Sequence, residues 1–133
     1  MRRLLFPALL ALAATSARAA EILSAEAFER LAEGRTLHFT EGGRPYGSEQ
    51  FLPGRRSLWR YAGEAECTAG SWRGEGEAIC FRYDGRPEEI CWRITREADG
   101  VFVELHDSDD GRRLRLGSTD TLPLPCPQTG AGT

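Results

Sequence analysis

The feature that most constrains this chain is the stretch 78–95, AICFRYDGRPEEICWRIT, which reads as two strands folded back on a tight turn. Centring the turn on Gly85 and Arg86 sets Phe81 opposite Ile90, Ile79 opposite Trp92 and Cys80 opposite Cys91. Side chains alternate faces along a strand, so in this register the apolar residues share one face. The cysteine pair and the opposite charges Arg82 and Glu89 share the other. A slip of one residue would turn the whole apolar set outward, so the register is tightly specified.

The period of two continues on both sides. Leu37 and Phe39 alternate with Thr36, His38 and Thr40 before the chain turns at Glu41-Gly42-Gly43-Arg44. A second strand over 46–52 ends at Leu52-Pro53-Gly54-Arg55, where Pro then Gly at the central positions suits a type II turn. Strands over 57–62 and 66–72 follow, the first with Trp59 and Tyr61 on one face, the second with Cys67 on the face opposite Thr68 and Trp72. Beyond the central hairpin, a two-residue turn at Asp99-Gly100 predicts Ile94 opposite Leu105 and Thr95 opposite Glu104. Centring Ser108-Asp109-Asp110-Gly111 predicts Leu105 opposite Leu114, Val103 opposite Leu116 and Glu104 opposite Arg115. Three hairpins then gather Ile79, Phe81, Ile90, Trp92, Ile94, Val103, Leu105, Leu114 and Leu116 on one surface.

One helix is predicted, over 24–33. Ser24 caps its first turn, Glu26 complements the positive end of the helix dipole and Gly34 closes the far end. Leu23 and Phe28 have the spacing of a hydrophobic staple, and Phe28, Leu31 and Ala32 form a narrow apolar stripe suited to a lid or plug. The fold class expected is therefore all-β with one short N-terminal helix. Its sheet is an eight-stranded antiparallel up-and-down meander closed into a small barrel, since closure removes exposed edges. A β-sandwich is the alternative.

Around this domain, 1–19 reads as a secretory signal peptide: Arg2 and Arg3, then an apolar run too short to span a bilayer, then Ala17-Arg18-Ala19 as the cleavage site. Residues 20–34 form the N-terminal segment with the helix, 35–118 the barrel, and 119–133 a proline-rich tail. Losing 1–19 removes three arginines and no acid, so the formal charge moves from −3 to −6, which disfavours a nucleic-acid partner. All 17 basic residues are arginine, a compositional bias before it is a functional choice. The expected product is periplasmic or secreted, soluble and monomeric, with no stable membrane anchor.

Four cysteines in a short exported chain, spaced 13, 11 and 35 residues apart, point to two disulfides rather than to a metal site. Cys80–Cys91 and Cys67–Cys126 are preferred, the first from the hairpin register and the second tethering the tail. Cys67–Cys80 with Cys91–Cys126 stays open.

No residue set reads as catalytic, and no metal or cofactor is expected. Gly70-Ser71-Trp72-Arg73-Gly74 has its serine one place too early for a nucleophile elbow. His38 and His106 fall on the polar parity of their strands. Asp107, Asp109, Asp110 and Gly111 resemble a calcium loop, but the glycine is one position early and Ser118 stands where a bidentate acid belongs. The adjacent carboxylates of Glu88 and Glu89 face opposite sides. Arg55, Arg56 and Arg60 form a candidate surface anion spot, and Trp59, Trp72, Trp92 and Phe81 a candidate ligand-facing core.

The run Gly70-Ser71-Trp72, then Ile79 to Tyr83 (ICFRY) and Cys91-Trp92, resembles small uncharacterised exported bacterial β-barrel proteins with cysteines in the barrel wall. That resemblance covers most of the chain after the leader and implies a fold but no activity. In architecture the chain is also similar to periplasmic lysozyme inhibitors, without their serine- and glycine-containing inhibitory loop. The first functional expectation is a non-enzymatic binding module acting through its loops on a protein or cell-envelope partner. The alternative is a lipocalin-like carrier of a small apolar ligand, against which three inward tryptophans would leave little room.

Overall fold

A computed structural model describes residues 11–16, 18–107 and 111–127. Most of the expected leader, Ser108 to Asp110 of the last turn, and the end of the tail lie outside the described residues. The elements are β1 (Glu21–Ile22), α1 (Ala25–Ala32), β2 (Thr36–Glu41), β3 (Arg44–Leu52), β4 (Arg56–Tyr61), β5 (Thr68–Glu75), β6 (Ala78–Tyr83), β7 (Ile90–Glu97), β8 (Gly100–Leu105) and β9 (Arg113–Asp120). Each of β2 to β9 pairs antiparallel with its neighbour in sequence, and β9 pairs back onto β2, closing an eight-stranded barrel. The two-residue strand β1 is an addition that the sequence did not signal. It lies along the end of β7 that β6 leaves uncovered, with Ile22 opposite Thr95, while β6 reaches only from Ile90 to Trp92.

The central hairpin has the expected register. The next two are displaced by two residues: Ile94 faces Val103 and Thr95 faces Phe102, and in turn Val103 faces Leu114 and Glu104 faces Arg113. An even displacement preserves every face, so the apolar set still points inward. The first displacement comes from the turn, whose two residues are Ala98 and Asp99 with Glu97 facing Gly100, and the second from the outer wall. The expected register would set the outward ring of Phe102 opposite Gly117, whereas the actual one places Arg115 there, and the Arg113 guanidinium sits 3.8 Å from the ring centroid. Phe102 is thereby covered on a face open to water, and Arg113 also pairs with Glu97 and Glu104. The turn after β3 also differs from expectation. Leu52 faces Arg56, so three residues turn the chain, with Gly54 at φ 77° and Arg55 also left-handed at 56°. The Arg55 side chain is held by Glu29 of α1 at 2.7 Å and lies over Trp72, contacts that offset a backbone cost of about 1 kcal/mol.

Helix α1 stands across one end of the barrel. Ser24 accepts the Ala27 N–H at 3.1 Å, and Gly34 continues the chain with φ 78°. Leu23 and Phe28, the expected staple, are both buried. Phe28 inserts among Phe51, Trp72 and Phe81 in edge-to-face contacts of 5.2, 5.1 and 6.4 Å, so one helical side chain joins the inner faces of β3, β5 and β6. The barrel is shut at this end.

Two disulfides, Cys80–Cys91 and Cys67–Cys126, staple the wall. The first bridges β6 and β7, whose ladder is only three residue pairs long. The second closes a 59-residue separation and holds the tail against the start of β5. The tail cannot use its prolines as ladder donors, so side chains hold it on the outer wall: Thr36 Oγ1 donates to the Leu122 carbonyl, Gln50 Oε1 accepts from Leu124 N–H, and Arg60 donates to the Pro125 carbonyl. No helix among the described residues is long and apolar enough to cross a membrane.

Two outcomes follow. Phe28→Ala should cost about 3–5 kcal/mol in urea unfolding, because three rings lose their common partner. Replacing Cys67 and Cys126 together by serine should cost about 4 kcal/mol, against about 3 for the Cys80–Cys91 pair, since the longer loop loses more closure entropy.

Candidate ligand cavity

The end of the barrel opposite α1 is open, and behind it lies a cavity of about 430 Å³. Its floor is made by Phe28 and Phe51, its walls include Phe39, Trp59, Phe81, Trp92, Ile94, Val103 and Leu114, and Arg86, Glu89, His106 and Arg112 stand at the mouth. Of the four residues expected to face a ligand, Trp59, Phe81 and Trp92 do so. Trp72 does not: it is spent at the closed end, between Phe28 and the Arg55 guanidinium. The three candidate anion-binding arginines are not brought together either. Arg55 is tied to α1, Arg60 to the tail, and Arg56 is exposed on its own.

The room inside comes from how the large rings are laid. Trp59 on β4 lies across Gly47 on β3, where a Cβ would collide with the indole carbons Cη2 and Cζ2. Tyr83 on β6 lies across Gly70 on β5, where a Cβ would come within 2.7 Å of ring carbon Cδ1. Each ring thus takes the space that a side chain on the facing strand would fill. Tyr46 enters the cavity by another device. It is the extra residue of a β-bulge, between Pro45 paired with Thr40 and Gly47 paired with Phe39. Its ring packs against Trp59 and Tyr61, and its hydroxyl accepts from Arg112, which also pairs with Glu41.

One acid faces this apolar space. Glu49 lies on the inward parity of β3 between Gly47 and Phe51 and is only 4 % exposed. Tyr83 Oη donates to its Oε1 at 2.8 Å. The Ser57 hydroxyl lies beside the same carboxyl and favours its charged form, without making a hydrogen bond of full geometry. Burial dominates and pushes the Glu49 pKa from 4.5 up to about 7, with Ser57 and Tyr83 opposing the rise. Burial likewise pushes the Tyr83 hydroxyl upward, and the neighbouring Glu49 adds to this, so Tyr83 stays protonated and remains the donor. The sequence signal for Glu49 is its position: an acid at an odd number in a strand whose odd numbers point inward.

The outer wall carries a second polar row. His38 Nδ1 lies 2.6 Å from Ser48 Oγ and its Nε2 lies 2.7 Å from Asp120 Oδ2, the latter contact lowering the Asp120 pKa. Asp120 Oδ1 also accepts the Leu122 N–H, so the row ends where the tail begins. Three residue types of a nucleophilic relay are therefore in line on β3, β2 and β9. They sit on the outer wall, and because Asp120 also holds the Leu122 N–H the arrangement anchors the tail. Among the described residues, no three His, Cys, Asp or Glu side chains are grouped to hold a metal ion. Compared with protein-family models, curated proteins and solved structures, the chain matches none.

The raised Glu49 pKa has a direct consequence for stability. Between pH 4.5 and about 7 the folded state holds a proton that the unfolded state releases, so stability falls as pH rises through that window. Relative to Glu49→Gln, the wild type should lose about 3 kcal/mol between pH 4.5 and pH 7.5, read from paired urea titrations.

Proposed function

We propose that this chain is an exported, disulfide-stapled barrel that carries a small, largely apolar ligand in its lumen. The observation that supports this reading is the cavity: about 430 Å³, closed at one end by α1, open at the other and lined mainly by aromatic and aliphatic side chains. That volume lies within the range of roughly 300–1,000 Å³ in which proteins bury small molecules. Export is part of the proposal, resting on the leader-like sequence of 1–19 and on two disulfides in so short a chain.

A module acting through its loops on a protein or envelope partner has less beneath it, because Arg55, Arg56 and Arg60 do not converge on one patch. No catalytic role is proposed: the serine, histidine and aspartate that line up among the described residues, Ser48, His38 and Asp120, lie on the outer wall and not in the lumen.

The neutral fluorophore N-phenyl-1-naphthylamine should bind at one site per chain with increased emission. Ile90→Trp, which places an indole in the lumen, should weaken that binding roughly tenfold or more and leave the melting temperature close to wild type. Unchanged binding by Ile90→Trp, or no saturable binding by wild type, would overturn the carrier reading.

A further inference from the structure

Resting on the carrier reading, we propose that the ligand is an amphipathic organic cation, an apolar amine whose ammonium group pairs with Glu49 inside the barrel. The carboxyl is buried in the cavity wall, and no cation reaches it among the described residues. Arg86 and Arg112 stand at the mouth, where Arg112 already serves Glu41 and Tyr46. A buried acid without a positive partner is disfavoured unless something else supplies the charge.

The neutral donor Tyr83 satisfies Oε1, and the neighbouring Ser57 hydroxyl makes no hydrogen bond of full geometry to the carboxyl. A carboxylate has about four acceptor positions, so acceptor capacity remains on a residue that lines the cavity. An ammonium group offers three donors and a full positive charge for that capacity. The surrounding rings suit the same charge. Trp59 stands opposite Glu49 on the neighbouring strand and Tyr83 is hydrogen-bonded to it, so two aromatic rings border the carboxyl. The faces of such rings attract cations, most strongly where water is excluded. Phe39, Phe51, Ile94, Val103 and Leu114 then take an apolar remainder. A carboxylate ligand would meet Glu49 with like charge, and a neutral alcohol would leave it without a counter-ion.

The test uses three probes of one chain length, n-octylamine, n-octanol and octanoate, each displacing N-phenyl-1-naphthylamine from the disulfide-intact protein at pH 8. At that pH Glu49 is mainly ionised, and an alkylamine, with a pKa near that of lysine at about 10.4, is protonated. Octylamine should bind about tenfold or more tighter than octanol and octanoate, and Glu49→Gln should abolish that preference while keeping octanol affinity. Equal affinity for octylamine and octanol in wild type would overturn the amine assignment and leave the carrier reading standing. So would a preference for octanoate, which would move the charged end of the ligand to the mouth arginines. Retention of the amine preference by Glu49→Gln would remove Glu49 as its partner. If neither the fluorophore nor any probe binds, both readings fall together.

Discussion

A ring of eight strands encloses a lumen that side chains alone are able to fill, so where the largest rings lie decides whether such a barrel is solid or hollow. Here the deciding contacts are between rings and missing side chains. Trp59 lies against Gly47 and Tyr83 against Gly70, each ring taking space at the wall that a facing side chain would otherwise fill. Trp72 is drawn to the closed end by Phe28 and Arg55. The aromatic mass that would otherwise fill the middle is divided between a floor and a lining. What is left is a cup.

The same arrangement explains why an acid is tolerated inside. Glu49 costs stability in its charged form, because burial outweighs the help of Tyr83 and Ser57. A small barrel has little stability to lose, commonly 5–15 kcal/mol in total. Two cross-links offset that loss by restricting the unfolded chain. The helix adds a single well-placed ring at the closed end, and the tail adds a strap of side-chain hydrogen bonds across the outer wall. Stability is concentrated in the wall and at the closed end, while the open end keeps its polar residues at the rim.

The fold was largely legible from the chain, because period-two alternation and tight turns fix which side chains face inward. The hairpin at 78–95 shows this best: its register follows from the face shared by Ile79, Phe81, Ile90 and Trp92. The displaced registers of the last two hairpins were not legible. Inward parity is indifferent to a shift of two; the first register turns on whether Ala98-Asp99 or Asp99-Gly100 makes the turn, and the second is favoured by the outer contacts of Phe102 with Arg113 and Arg115. The two-residue β1 is too short to carry a pattern of its own. The cavity was hidden for a different reason. Counting inward tryptophans says how much ring must be housed, but only the three-dimensional pairing of Trp59 with Gly47 and of Tyr83 with Gly70 says where it goes. Glu49 went unread in the sequence, although an acid on the inward parity of its strand, between Gly47 and Phe51, was a signal available there.

The proposed function depends on the lumen being occupied in the native protein. Native mass spectrometry of the protein recovered from its own export route tests this most directly. The account predicts a chain with both disulfides intact and an added mass of a few hundred daltons, typical of a small ligand of this cavity size, that is lost on denaturation. A ligand-free chain recovered in a stoichiometric complex with another protein would contradict it and would place function on the outer surface instead.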